Sequence, residues 1–183
     1  MKDLIAVNST ILLVDDELEI LEFTKEELAP HFEKIILASN GAEAMKILEK
    51  YKVNLIVTDY IMPVMNGLQF ISSVKEKYPM VPVIMLTSNG SNVEIVEALK
   101  NGAFDILDKP FRLEVLVNRI QNGLLVNELT KTLWSLMSLD LSLPRLEDFL
   151  HKSTKEQHRI IYAYSSVIQM KSLFRHKSED IDG

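Results

Sequence analysis

Three carboxylates, two hydroxyls and one lysine stand where apolar runs of the chain stop. Thr10-Ile11-Leu12-Leu13-Val14 runs into Asp15-Asp16, and Leu55-Ile56-Val57-Thr58 runs into Asp59. Val81-Pro82-Val83-Ile84-Met85-Leu86 ends in Thr87-Ser88, and Phe104-Asp105-Ile106-Leu107 is followed by Lys109-Pro110. Taken alone, Asp59 with Pro63 and Asn66-Gly67 behind it is ordinary turn chemistry. Taken together, three converging carboxylates repel one another unless a cation or a proton intervenes. The chain has no cysteine, and none of its 4 histidines lies near these strand ends. What remains is a hard oxygen site, which suits Mg2+ with several waters retained. A metal so held commonly works with a phosphate, and Lys109 and Thr87 offer a phosphoryl oxygen a point charge and a hydroxyl donor. The economical reading makes Asp59 the phosphoryl acceptor, since carboxylates form aspartyl phosphates. Mg2+ and Lys109 then spread the developing charge, and catalysis is mostly positioning and electrostatics.

For those groups to meet, the elements between them must bring the strand ends to one edge. A further run, Lys34-Ile35-Ile36-Leu37-Ala38, makes five short runs apolar on both faces, which suits a parallel sheet covered on both sides. Amphipathic segments alternate with them, marked by Ile20, Phe23 and Leu28; by Ala44, Ile47, Leu48 and Tyr51 behind an Asn40 cap; by Leu68, Ile71, Val74 and Tyr78; by Val93, Val96 and Leu99; and by Leu113, Leu116, Val117 and Ile120. Five β–α units predict a doubly wound α/β domain, in which the carboxyl ends of the strands form the site edge.

The ordered motifs carry a resemblance. Ile11-Leu12-Leu13-Val14-Asp15-Asp16-Glu17, Asp59-Tyr60-Ile61-Met62-Pro63 with Met65-Asn66-Gly67, Leu86-Thr87-Ser88 and Asp108-Lys109-Pro110-Phe111 resemble the receiver domain of bacterial-type two-component response regulators, over residues 9–123. The resemblance implies a five-stranded flavodoxin-like fold and phosphorylation of Asp59 by a histidine kinase or phosphotransfer protein. It implies Mg2+ bound by Asp15, Asp16, Asp59 and the backbone carbonyl of Ile61. Thr87 would swing in to hold the phosphoryl group, and Lys109 would pair with it before a cis Lys109–Pro110 bond. One position departs from the pattern. Ile106 stands where the family usually has an aromatic that rotates inward as Thr87 moves, and isoleucine is stiff at χ1. Phe104 lies two residues earlier and is read as core on the same sheet face. A metal-dependent phosphatase is a weaker reading, because such enzymes often need a second Asp where this chain has Ile61.

The expected organisation is a receiver over 1–123 and an α-helical extension over 124–183. The fifth helix is expected to run to about Leu139, with a break at Ser142-Leu143-Pro144 and a capping-box spacing at Ser153-Thr154-Lys155-Glu156. Apolar stripes there need a partner face, which can be the receiver, each other, or a second protomer in a homodimer. The net charge of −6 lies wholly in residues 1–123, with 12 Lys/Arg against 18 Asp/Glu, while 124–183 carry 8 of each. That balance counts against a nucleic-acid partner. No long apolar span and no signal-peptide pattern is present, so a cytoplasmic protein is expected. The leading reading is a phosphoacceptor signalling module, not an enzyme beyond self-catalysed phosphorylation and dephosphorylation. A transcription regulator with a compact DNA-binding segment and a phosphate-independent scaffold are the alternatives.

Overall fold

The computed structural model describes residues 9–88 and 92–138. Strands and helices alternate through them: β1 (Thr10–Val14), α1 (Leu18–Leu28), β2 (Lys34–Ala38), α2 (Gly41–Lys50), β3 (Leu55–Asp59), α3 (Gly67–Lys77), β4 (Val83–Thr87), α4 (Asn92–Lys100), β5 (Asp105–Asp108) and α5 (Leu113–Ser138). The sheet is parallel throughout, in the order β2-β1-β3-β4-β5. The expected doubly wound, flavodoxin-like receiver fold is therefore present. β3 and β4 are buried along their whole length, which is why their sequences are apolar on both faces. β2 and β5, at the edges, are only partly covered.

Alternation along each strand divides the core in two. Leu12, Val14, Ile56, Val83 and Met85 face α2, α3 and α4, meeting Ala44, Leu48, Phe70, Ile71, Val74 and Ala98. Ile11, Leu13, Leu55, Val57, Ile84 and Leu86 face α1 and α5, meeting Leu21, Leu28, Leu116, Ile120 and Leu124. Each fully buried aliphatic side chain contributes about 1.5–3 kcal/mol by leaving water, so these two layers hold the sheet. The helix starts follow local chemistry. Asn40 Oδ1 accepts the Glu43 amide, and Asn66 with Gln69 forms a reciprocal capping box on α3.

Several stripe positions differ from the sequence reading. In α1 the buried residues are Leu21 and Leu28, while Phe23 is 66% exposed. In α4, Val96 and Leu99 are exposed and the small Ala98 makes the core contact. Phe104 packs in the α1/α5 layer and Ile106 in the α2/α3/α4 layer, so they do not share a face. The period-two rule holds only within a strand, and β5 begins at Asp105, after Phe104.

α5 reaches Ser138, close to its expected end, and the chain divides into units 1–125 and 126–183 along it. In the second unit Val126, Asn127 and Thr130 are buried, and Thr130 Oγ1 donates to the Val126 carbonyl. Gly123 sits mid-helix, where a Cβ would strike the end of the Leu55 side chain and crowd Phe104, so a larger residue would require Leu55 to shift. The expected break at Ser142-Leu143-Pro144, the cap at Ser153 and the later apolar stripes lie outside the described residues.

One core residue is a titratable group. Lys75, in the last turn of α3, is 6% exposed, and its Nζ donates to the Val81 carbonyl at 2.6 Å. Burial pulls its pKa down from the ordinary 10.5 to about 7. Between those values the unfolded chain holds a proton that the folded chain has released, so stability rises with pH from about 7 to 10.5 and is lowest below 7. Lys75→Met should flatten that rise. Urea unfolding at pH 6.5 and 9.5 should show wild type gaining about 1–3 kcal/mol on the variant across the interval. Parallel pH profiles would rule out a neutral buried lysine.

Candidate functional site

The site is built where β1, β3 and β5 end. Asp15 and Asp59 are both buried, at opposite flanks of one ammonium group. Lys109 Nζ lies 3.1 Å from Asp15 Oδ2 and 2.6 Å from Asp59 Oδ1. The remaining carboxylate oxygens are held by main-chain amides. Glu17 N donates to Asp15 Oδ1 at 3.0 Å, and Ile61 N donates to Asp59 Oδ2 at 3.0 Å. Each carboxylate is thus oriented by its own loop and neutralised from across the sheet.

Lys109 is delivered by the turn after β5. Its amide donates to the Thr87 carbonyl at 2.7 Å, and the Lys109–Pro110 peptide bond is cis, as the resemblance implied. Burial pulls the Lys109 pKa down. The contact with Asp59 and the charges of Asp15 and Asp59 outweigh that and hold the ammonium above the ordinary lysine value. The stabilisation that comes from this raised value is complete below about 10.5 and is lost only as the pH climbs through the higher folded-state value.

Not every expected residue joins. Thr87 is buried at the end of β4, one position past the register partner of Asp59, Leu86. Asp16 is exposed, and among the described residues no three acidic or histidine side chains come close enough together to hold an ion. Two carboxylates and an ammonium meet instead of three carboxylates. The donor chemistry nonetheless fits a hard cation. Asp59 Oδ1 is buried and, although close to Lys109, has no hydrogen bond in line with it. Asp15 meets the same ammonium, and Asp16 is its neighbour in sequence. Ser88 is exposed on the rim, and Asn89 lies outside the described residues.

The loop between Asp59 and α3, whose sequence carries one of the ordered motifs, is tightly specified in its backbone. Gly67 N donates to the Tyr60 carbonyl, and a Cβ at Gly67 would lie 2.5 Å from the Asp59 carbonyl oxygen. Met62 is buried, and Met65 packs on the α2/α3/α4 core. Between those anchors Val64 has φ 69°, and Met65 N donates to the Pro63 carbonyl at 2.7 Å, closing a three-residue turn of the rarer left-handed kind. For a β-branched residue this backbone is an outlier, at a cost of about 1–2 kcal/mol.

Lys109→Met leaves two buried carboxylates without their cation and should cost about 1–3 kcal/mol at pH 7, with millimolar Mg2+ restoring more stability to the variant than to wild type. Equal gains on thermal melts would contradict the sharing of one cation. Val64→Gly should leave the fold unchanged and raise its stability by about 0.5–1 kcal/mol, relief of strain less the entropy of glycine. Destabilisation would show that the turn is not strained.

Comparison with known proteins agrees with the geometry. Residues 11–121 match the response regulator receiver domain. The transcriptional regulatory protein GlrR of Escherichia coli is 33% identical over 114 residues, covering 62% of this chain and 26% of that protein. The transcriptional regulatory protein CpxR homolog of Haemophilus influenzae is 39% identical over 114 residues, covering 62% and 49%. The chain thus spans about a quarter to a half of these relatives. A response regulator receiver domain from Clostridium thermocellum superposes with a TM-score of 0.63 at 30% identity, over 66% of this chain and 98% of that one. Among the described residues no helix is long and apolar enough to cross a membrane.

Proposed function

Because this chain belongs to the response regulator receiver family over residues 11–121, we propose that its Asp59 accepts a phosphoryl group from the phosphohistidine of a histidine kinase or phosphotransfer protein. The observation that carries this reading is the meeting of Asp15 and Asp59 on Lys109. Asp59 Oδ1 is the oxygen without an amide donor, so it is the one free to attack phosphorus while Ile61 N keeps the other oxygen fixed. A bond forms from that oxygen to phosphorus, the phosphorus–nitrogen bond of the donor breaks, and the imidazole leaves with the electron pair. Lys109 is already within contact distance and moves from carboxylate neutralisation to the transferred phosphoryl oxygens. Asp15, Asp16, Asp59 and the Ile61 carbonyl would hold a Mg2+, which would supply positive charge there when bound.

Thr87 and Lys109 are joined by a main-chain hydrogen bond, so a change at either is felt by the ends of both β4 and β5. We read this as the start of a two-state change in the α4-β5-α5 surface that controls association. Asp105 supports the route: its carboxylate pairs with Arg119 on α5 at 2.6 Å, linking the last strand to the helix that enters residues 124–183. The helical extension would then read the change by forming a homodimer or docking on a partner. A second reading keeps the same switch but gives the extension a DNA-binding output. It is favoured by the names of the relatives, transcriptional regulatory proteins, and opposed by the balanced charge of residues 124–183.

Incubation with Mg2+ and acetyl phosphate should add one phosphate to wild type by intact mass and none to Asp59→Asn. Sedimentation of the same samples should show a change of association state only in the phosphorylated protein, lost when residues 124–183 are removed. Phosphate on both proteins would move the acceptor elsewhere. A mobility shift of duplex DNA by the phosphorylated chain would promote the second reading.

A further inference from the structure

Thr58 is wholly buried, one residue before Asp59, and its surroundings do not call for a hydroxyl. Alternation from Ile56 turns it into the α2/α3/α4 layer, and its register partners, Val14 and Met85, belong to that layer too. An apolar β-branched residue would fill the same space, and a buried hydroxyl is costly unless it is bonded. Its bond goes to the neighbouring residue: Thr58 Oγ1 donates to the Asp59 carbonyl at 3.1 Å. That carbonyl stands where the sheet opens. β1 pairs with β3 only as far as Val14 and Thr58, so Asp59 lies one residue beyond the last pairing on that side. The Asp59 carbonyl oxygen lies against the first residue of α3, where a Cβ on Gly67 would come within 2.5 Å of it. The other end of the same peptide unit is fixed from β4, because Tyr60 N donates to the Leu86 carbonyl at 2.9 Å. The Asp59–Tyr60 peptide plane is thus held by Leu86 at its N–H and by Thr58 at its C=O.

We propose that Thr58 is a positioning residue for phosphoryl transfer, its hydroxyl holding the peptide plane that aims the Asp59 carboxylate. This rests on Asp59 being the acceptor. The link from plane to carboxylate is short. Peptide units are rigid, so the plane that follows Asp59 sets where the chain enters Tyr60 and where the next amide points. That next amide, Ile61 N, donates to Asp59 Oδ2 at 3.0 Å and so fixes the direction of Oδ1. Thr58 is sealed from solvent and acts only through Asp59, not on the phosphodonor. Removing its hydroxyl leaves Asp15 and Lys109 with their charges and contacts, and loosens only the aim of the attacking oxygen. A small misalignment of reacting atoms lowers the rate of the transfer step more than the affinity for the donor.

The test uses the full chain with acetyl phosphate and Mg2+. Thr58→Val keeps the shape and removes the hydroxyl, while Thr58→Ser keeps the hydroxyl and removes a methyl. Thr58→Val should transfer roughly five- to tenfold more slowly at saturating acetyl phosphate, with the half-saturating concentration within about twofold of wild type. The Ile61 amide resonance should move in Thr58→Val, and Thr58→Ser should bring both the resonance and the rate back towards wild type. A wild-type rate in Thr58→Val overturns the proposal. Equal slowing of the valine and serine variants also overturns it, in favour of packing. So does a slow Thr58→Val whose Ile61 amide has not moved. Should Thr58→Val fail to fold, Thr58→Ala faces the same comparison; a chain that folds with neither assigns the hydroxyl to folding and overturns the proposal. Failure of wild type to take phosphate, or phosphate on Asp59→Asn, removes Asp59 as the acceptor, and either is seen before any Thr58 variant is made.

Discussion

Two buried carboxylates sharing one lysine is the constraint on which the rest of the structure depends. Asp15 and Asp59 sit at the ends of neighbouring strands, β1 and β3, and burial makes their unshielded charge costly. The cation comes from the end of β5, beyond β4, so the pair is satisfied only if the parallel sheet is closed in order and its carboxyl edge is in register. The amides of Glu17 and Ile61 hold the outer oxygens, which leaves Asp59 Oδ1 as the one position where the arrangement is close but not hydrogen-bonded in line.

The features that the sequence made legible are those set by short-range pattern. Strand runs, the Asn40 cap and the arrival of Asp15, Asp59, Thr87 and Lys109 at one edge all follow from period and from strand ends. What escaped depends on packing between distant segments. Lys75 is not singled out by the sequence pattern, and its burial comes from Val81 and Gly102 closing over it from the loops on either side of β4 and α4. Phe104 reads as a strand residue by spacing, but it precedes β5 and turns to the other layer. The Val64 turn is invisible to periodicity because nothing in the residue type announces a left-handed backbone; the demands of Met62, Met65 and Gly67 impose it.

The same division between local and distant effects bears on how a signal leaves the site. Ile106 faces the α2/α3/α4 layer and is only partly buried, so it cannot act as a rotating aromatic with a hydroxyl. β5 meets α5 through the Asp105–Arg119 ion pair and through Leu107, which packs in the layer that α5 covers. Under the proposed switch, movement of the Thr87–Lys109 pair is carried by the strand as a unit, not by one side chain.

Under the proposed function, the Asp15–Lys109–Asp59 arrangement takes up a hard cation and a phosphoryl group. The most direct measurement is a Mg2+ titration of the isotopically labelled protein, following the amide resonances of Glu17 and Ile61, with Na+ at matched ionic strength as control. Saturable shifts are predicted at both amides with Mg2+ and not Na+, with loss of the Ile61 shift in Asp59→Asn. Identical behaviour with the two salts, or no shift at either amide, would contradict the claim and reduce the trio to a structural ion pair.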